Sequence, residues 1–108
     1  MIMSHVADII FMTSIDDGSN VEDSHPNADK LSAYLVRNHN GAYLVKVDDH
    51  AGGNKAMQCD VFMAAINYLD IDEFVEWFHG IEWEYPESVQ LLIKDEHDDQ
   101  FSMYTPKI

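Results

Sequence analysis

The sequence predicts an α+β fold with a mostly antiparallel sheet, and three observations carry that prediction. Short apolar runs rich in Ile, Val and Tyr recur along the chain, bounded by Asp, Asn, Gly and Pro clusters, as strands are. An Asn-Gly step lies between two β-prone runs. The middle of the chain carries apolar residues at helical spacing. The expected order is a β-strand, a β-hairpin, two helices and a C-terminal β-hairpin, in one compact domain over residues 1–108.

Val6 to Thr13 is an Ile-rich apolar run, too short for a good helix, and reads as a buried strand. Residues 14–27 form a polar loop punctuated by Gly18 and Pro26. Lys30 to Val47 holds a near repeat, Ala33-Tyr34-Leu35-Val36-Arg37 and Ala42-Tyr43-Leu44-Val45-Lys46, around Asn40-Gly41. Both turn residues tolerate positive φ, so this segment is expected to be the hairpin. A helix over Ala28–Val36 capped by Asn27 is the competing reading. Asp48 to Asn54 is a turn. Lys55 to Leu69 places Met57, Val61, Ala64, Ala65 and Tyr68 on one helical face. Asp72 caps a second short helix through Phe78, with Phe74, Val75 and Phe78 inward and Gly80 as its stop. Glu82 to Pro86 is a linker or edge strand. Ser88–Lys94 and Phe101–Tyr104 are the strands of the last hairpin, joined by the acidic turn Asp95–Asp99.

Charge is the strongest compositional feature. Twenty Asp and Glu face six Lys and Arg, a formal net charge of −14 over 108 residues. Hydrophobic residues make up 46% of the chain, enough to fold despite that charge. A charge magnitude of about 2–8 already keeps a small domain soluble. The excess points to a halophilic habitat or to a basic protein partner. It argues against direct binding to nucleic acid or to an anionic membrane, and no basic stripe runs along the chain. Cys59 is the one cysteine, so no internal disulfide is expected and a reducing compartment is the natural home. The start Met1–His5 has no positive region of a signal peptide, and Ile9–Met12 is too short to span a membrane. A cytoplasmic protein is expected.

The acids are unevenly spread. Residues 1–55 hold eight acids and four bases, residues 56–108 twelve acids and two bases. Residues 70–99 alone contain eleven acids against Lys94. Helix-dipole stabilisation accounts for Asp70, Asp72 and Glu73, but Glu73/Glu76 and Asp72/Glu76 fall at repulsive helical spacings. Trp77, Trp83 and Tyr85 lie among these glutamates and are residue types enriched at binding hot spots. Trp77 is also placed to join Phe74 and Phe78 in the core. The expected partner surface is therefore Asp72, Glu73, Glu76, Trp77, Glu82, Trp83, Glu84, Tyr85, Glu87, Asp95, Glu96, Asp98 and Asp99, converging on one anionic face.

Catalytic and metal motifs are absent from the sequence. His50 and His97 sit in acidic turns, yet there is no His-x-x-x-His, Cys-x-x-Cys or EF-hand loop. Asp16–Asn20 has calcium-type residues at the wrong spacing. Cys59 is expected within a helix as a small buried hydrophobe. No Gly-x-Ser-x-Gly or phosphate-binding glycine loop occurs. No cofactor, metal or catalytic residue is assigned, and the chain reads as a non-enzyme.

Three readings follow. In the first, the carboxylates stand where a nucleic-acid-binding protein expects phosphates, and the chain blocks a basic nucleic-acid-binding protein or nuclease. In composition alone, it resembles the small acidic proteins with which phages and mobile elements block restriction or CRISPR effectors. In the second, it is an immunity protein or antitoxin for one toxin nuclease. In the third, it is a small metal-dependent enzyme or regulator using the Asp/His-rich turns. Homodimerisation is compatible with each.

Overall fold

The computed structural model describes residues 5–14 and 26–106. Its elements are β1 (Val6–Thr13), α1 (Pro26–Asn38), β2 (Val45–Lys46), β3 (Asp60–Asn67), α2 (Ile71–Gly80), β4 (Val89–Asp95) and β5 (Ser102–Tyr104). The strands form one sheet in the order β2-β3-β1-β4-β5, with every neighbouring pair antiparallel. β3 lies between β1 and β2, and β1 lies between β3 and β4. The chain thus contains two interleaved split β-α-β units. The expected α+β class and mostly antiparallel sheet are present. No helix among the described residues is long and apolar enough to cross a membrane.

Two expected elements are overturned. The Lys30–Val47 hairpin is instead α1 followed by the short β2. The Asn-Gly step ends the helix: Asn40 and Gly41 have φ of 55° and 82°, and the Gly41 N–H donates to the Val36 carbonyl. That is a Schellman closure, which uses the same left-handed freedom a hairpin turn would use. Leu31, Tyr34 and Leu35 then face the core. The Lys55–Leu69 helix is instead loop and β3, with Cys59 half-buried just ahead of the strand.

The remaining elements match closely. β1 spans the expected residues, and β4, its acidic turn and β5 form the C-terminal hairpin. α2 starts slightly earlier than expected, with the Asp70 carboxylate accepting the Glu73 N–H at 3.1 Å.

Both helices pack on one face of the sheet. β1 sends Ala7, Ile9 and Phe11 inward, joined by Phe62 and Ile66 of β3 and Val89, Leu91 and Ile93 of β4. α1 adds Ala28, Leu31 and Leu35, and α2 adds Phe74 and Phe78. Trp83 completes this core. It lies stacked on Phe11 with ring centroids 5.6 Å apart, and its indole N–H donates to the Phe78 carbonyl.

Among the described residues no helix packs on the opposite face, although Val61, which points to it, is buried beside the 3-10 turn Asp48–His50. Cross-strand partners point the same way, so the register sets Val45, Met63, Ile10, Leu92 and Met103 in one row across all five strands. Val45, Met63 and Met103 are 50%, 42% and 59% exposed. A sheet face turned to water ordinarily alternates to polar residues, and this row does not.

Candidate functional site

β3 ends, β1 begins and β4 ends at the same end of the sheet, since Val6 pairs with Asn67 and Ala7 with Asp95. α2 starts from that end, immediately after β3. Two acid-rich segments far apart in sequence therefore lie at one end of the sheet: Asp70, Asp72 and Glu73 at the helix start, and Asp95, Glu96, Asp98 and Asp99 at the end of β4 and in the turn after it.

His5 ties the end of β3 to the end of β4. Its backbone carbonyl accepts the Tyr68 N–H, its N–H donates to Asn67 Oδ1, and its Nε2 lies 2.7 Å from Asp95 Oδ1. The hydrogen bond and charge of Asp95 raise the His5 pKa above its ordinary 6.5, and His5 in turn holds the Asp95 carboxyl below its usual range. The turn is held internally as well: Asp98 Oδ2 accepts the Asp95 N–H at 3.2 Å, and Asp95 Oδ1 accepts the Glu96 N–H at 2.8 Å. Glu73 is steadied by the Tyr34 hydroxyl, which donates to it at 2.7 Å. Burial, then that carboxylate, push the Tyr34 phenol up to about 12.

The other expected site residues lie elsewhere. Glu82, Glu84, Tyr85 and Glu87 precede β4, whose first residue Val89 pairs with Thr13 at the far end of β1. Val89 and Asp95 are six residues apart on one strand, about 20 Å. Ten of the eleven acids of residues 70–99 therefore fall at two poles and not on a single face, with Glu76 exposed along α2 between them.

The aromatic anchors are also redistributed. Trp83 is a core residue, only 8% exposed, because the alternation that turns Glu82 and Glu84 outward turns it inward. Trp77 is half-buried in the seam between the helices. Its indole N–H donates to the Lys30 carbonyl, Tyr34 packs on it, and the Arg37 guanidinium lies 6.0 Å from its ring. Tyr85 alone of the three presents an exposed ring, at the second pole.

Among the described residues, no group of three or more His, Cys, Asp or Glu side chains is placed to hold a metal ion. His50 is exposed beside Asp49, and His97 packs edge-on to His5. The Asp16–Asn20 segment lies outside the described residues. His5 and Asp70 belong to the first pole and lie outside the surface the sequence predicts. The contact of His5 with Asp95 spans ninety residues, and nothing local in the sequence signals it. Neither a protein family, nor a curated protein, nor a solved structure matches the chain.

Proposed function

We propose that this chain is a non-enzymatic binding protein that neutralises a basic nucleic-acid-binding protein or nuclease in the cytoplasm, docking through the acidic pole at the His5 end of the sheet. The observation that supports this reading most is the placement of seven carboxylates from two separate segments at that end of the sheet: Asp70, Asp72, Glu73, Asp95, Glu96, Asp98 and Asp99. Proteins that grip duplex DNA carry Lys and Arg to meet about one phosphate charge per 1.7 Å of axis. A carboxylate pole held by a helix cap, a tyrosine hydroxyl and a histidine gives such a row a pre-ordered counter-surface. Association would be fast and salt-sensitive. The biological role this chemistry fits is anti-defence, with a restriction or CRISPR effector as target. Immunity towards a single toxin nuclease rests on the same chemistry.

Affinity capture with the full chain from its native host tests the proposal. The expected product is a basic nucleic-acid enzyme whose retention falls as salt rises, while the chain alone binds no DNA. Recovery of a toxin nuclease would select the immunity role. Failure to retain any basic protein, with a hydrolytic activity found in the isolated chain, would overturn the proposal.

A further inference from the structure

The sheet face on which no helix packs among the described residues differs in charge from the rest of the molecule. Its strand residues include one acid and one base, Asp8 and Lys94, which are direct cross-strand partners on β1 and β4. Their charges cancel, so this face is locally neutral on a chain of net charge −14. Around them stand Ile10, Met12, Met63, Leu92 and Met103. Methionine is unbranched and polarizable, and it adapts readily to an apposed surface.

We infer that this face is the interface of an isologous homodimer, with a second copy of this chain as its occupant. A cationic partner is drawn to the acidic poles and gains nothing from a neutral apolar sheet. A second copy meets no net charge across this face. The face is also self-complementary. A two-fold axis running along the strands between β1 and β4 exchanges those two strands, and with them β3 and β5. Asp8 then faces the second copy's Lys94, and the same pair forms again on the other side of the axis. Ile10 faces the second copy's Leu92. Met63 faces the second copy's Met103, which falls over the shallow depression of about 340 Å³ lined by Asp8, Ile10, Met63, Ala65 and Phe101. Sheets packed face to face cross at about 30°, an angle that leaves contacts near the axis in place.

The area is sufficient for a reversible dimer. About a dozen outward positions at strand and residue spacing project about 400 Å². The relief of upright Met and Phe side chains raises the accessible area further. Two copies thus reach the roughly 1,000 Å² at which specific interfaces begin.

Sedimentation velocity of the full chain over a concentration series tests this. The expected result is a concentration-dependent species of twice the 12.4 kDa chain mass. Met63→Lys, at an exposed position, should weaken the dimer by about tenfold or more with the circular dichroism spectrum unchanged. Asp8→Lys and Lys94→Asp should each be monomeric alone and should form a dimer when mixed, because each supplies the charge the other lacks. A wild-type chain that stays at 12.4 kDa at its highest soluble concentration would overturn the inference, as would variants that dimerise normally or fail to rescue one another. Loss of a different protein partner on Met63→Lys, with the wild type monomeric, would assign the face to that partner and overturn it equally.

Discussion

His5 Nε2 lies within hydrogen-bonding distance of both carboxylate oxygens of Asp95, 2.7 Å from one and 2.9 Å from the other, and so joins the residue just before β1 to the last residue of β4. The bond ties the ends of two neighbouring strands at the pole where the acids gather. Because His5 is raised above 6.5, its contribution to stability is complete below that pH. It is lost as pH rises through the raised folded-state value. Asp95, held below its usual value, contributes above the ordinary 3.8 and loses its contribution as pH falls through its lowered value. An NMR titration of the His5 ring should give a midpoint above 6.5, and Asp95→Asn should move it down towards 6.5. A midpoint unmoved by Asp95→Asn would show that another group holds the proton.

Trp83 should behave as a structural residue and not as a contact residue. Trp83→Ala empties a site walled by Phe11 and Phe78 and is expected to cost about 3–5 kcal/mol, read as a lowered denaturant midpoint. Trp83→Phe keeps most of the volume, loses the bond to the Phe78 carbonyl, and should cost less. Neither substitution should change partner affinity in the fraction that remains folded.

Asp70 closes the start of α2, and its removal should be felt locally. Asp70→Ala is expected to cost about 1 kcal/mol, while Asp70→Asn or Asp70→Ser should retain most of the stability. Amide hydrogen exchange of Glu73, whose N–H the Asp70 carboxylate accepts, is the sensitive measurement. Unchanged protection there in Asp70→Ala would remove the cap from the account of this pole.

The two acidic poles make different predictions for binding. Paired reversal at the first pole, Asp98→Lys with Asp99→Lys, should weaken capture of a basic partner by on the order of tenfold. The same reversal at Glu82 and Glu84 should leave it nearly unchanged, since those carboxylates lie at the far end of β4. Surface plasmon resonance against the captured partner reads both. Equal losses at the two poles would mean that the partner spans the molecule or binds by overall charge.

Salt should act in opposite directions at the two surfaces. Partner binding through the pole weakens as ionic strength rises. Self-association through the sheet face should strengthen, because salt screens the repulsion between two chains of net charge −14 while the apposed Asp8 and Lys94 are shielded from it. An axis parallel to the strands also leaves the His5 ends of both copies pointing the same way, which doubles the pole offered to a partner. Measuring both equilibria over one salt series separates the two surfaces.

The parts of the fold legible in the sequence are those whose pattern is local. β1, with its compact Ile-rich run, and the C-terminal hairpin around Asp95–Asp99 are placed almost to the residue. β3 departs from the expected helix because both of its faces are apolar: Phe62 and Ile66 point to the core while Val61, Met63 and Ala65 point the other way. A strand apolar on both sides loses its two-residue period, and its residues then also fit a helical repeat. α1 realises the competing helix reading and not the hairpin, because Asn40-Gly41 satisfies a hairpin turn and a helix end equally well and packing under Tyr34 and Leu35 decides between them. The clustering of acids in residues 70–99 was legible, but their division between two ends was not. That division depends on the length of β4, which carries the chain from one pole to the other.

The sheet's two margins have a consequence for how the protein fails. β2 has two residues and β5 three, so neither offers a run of free backbone long enough to recruit an extended chain. Beyond the reach of β2, the Asp48 carboxylate accepts the Val61 N–H, and Lys46 bonds to the same Asp48. The Val61 N–H, which could have seeded sideways growth into fibrils, is thus capped by charge. Under stress, such a chain should precipitate only after its core opens, and cross-β aggregates should form no faster than global unfolding.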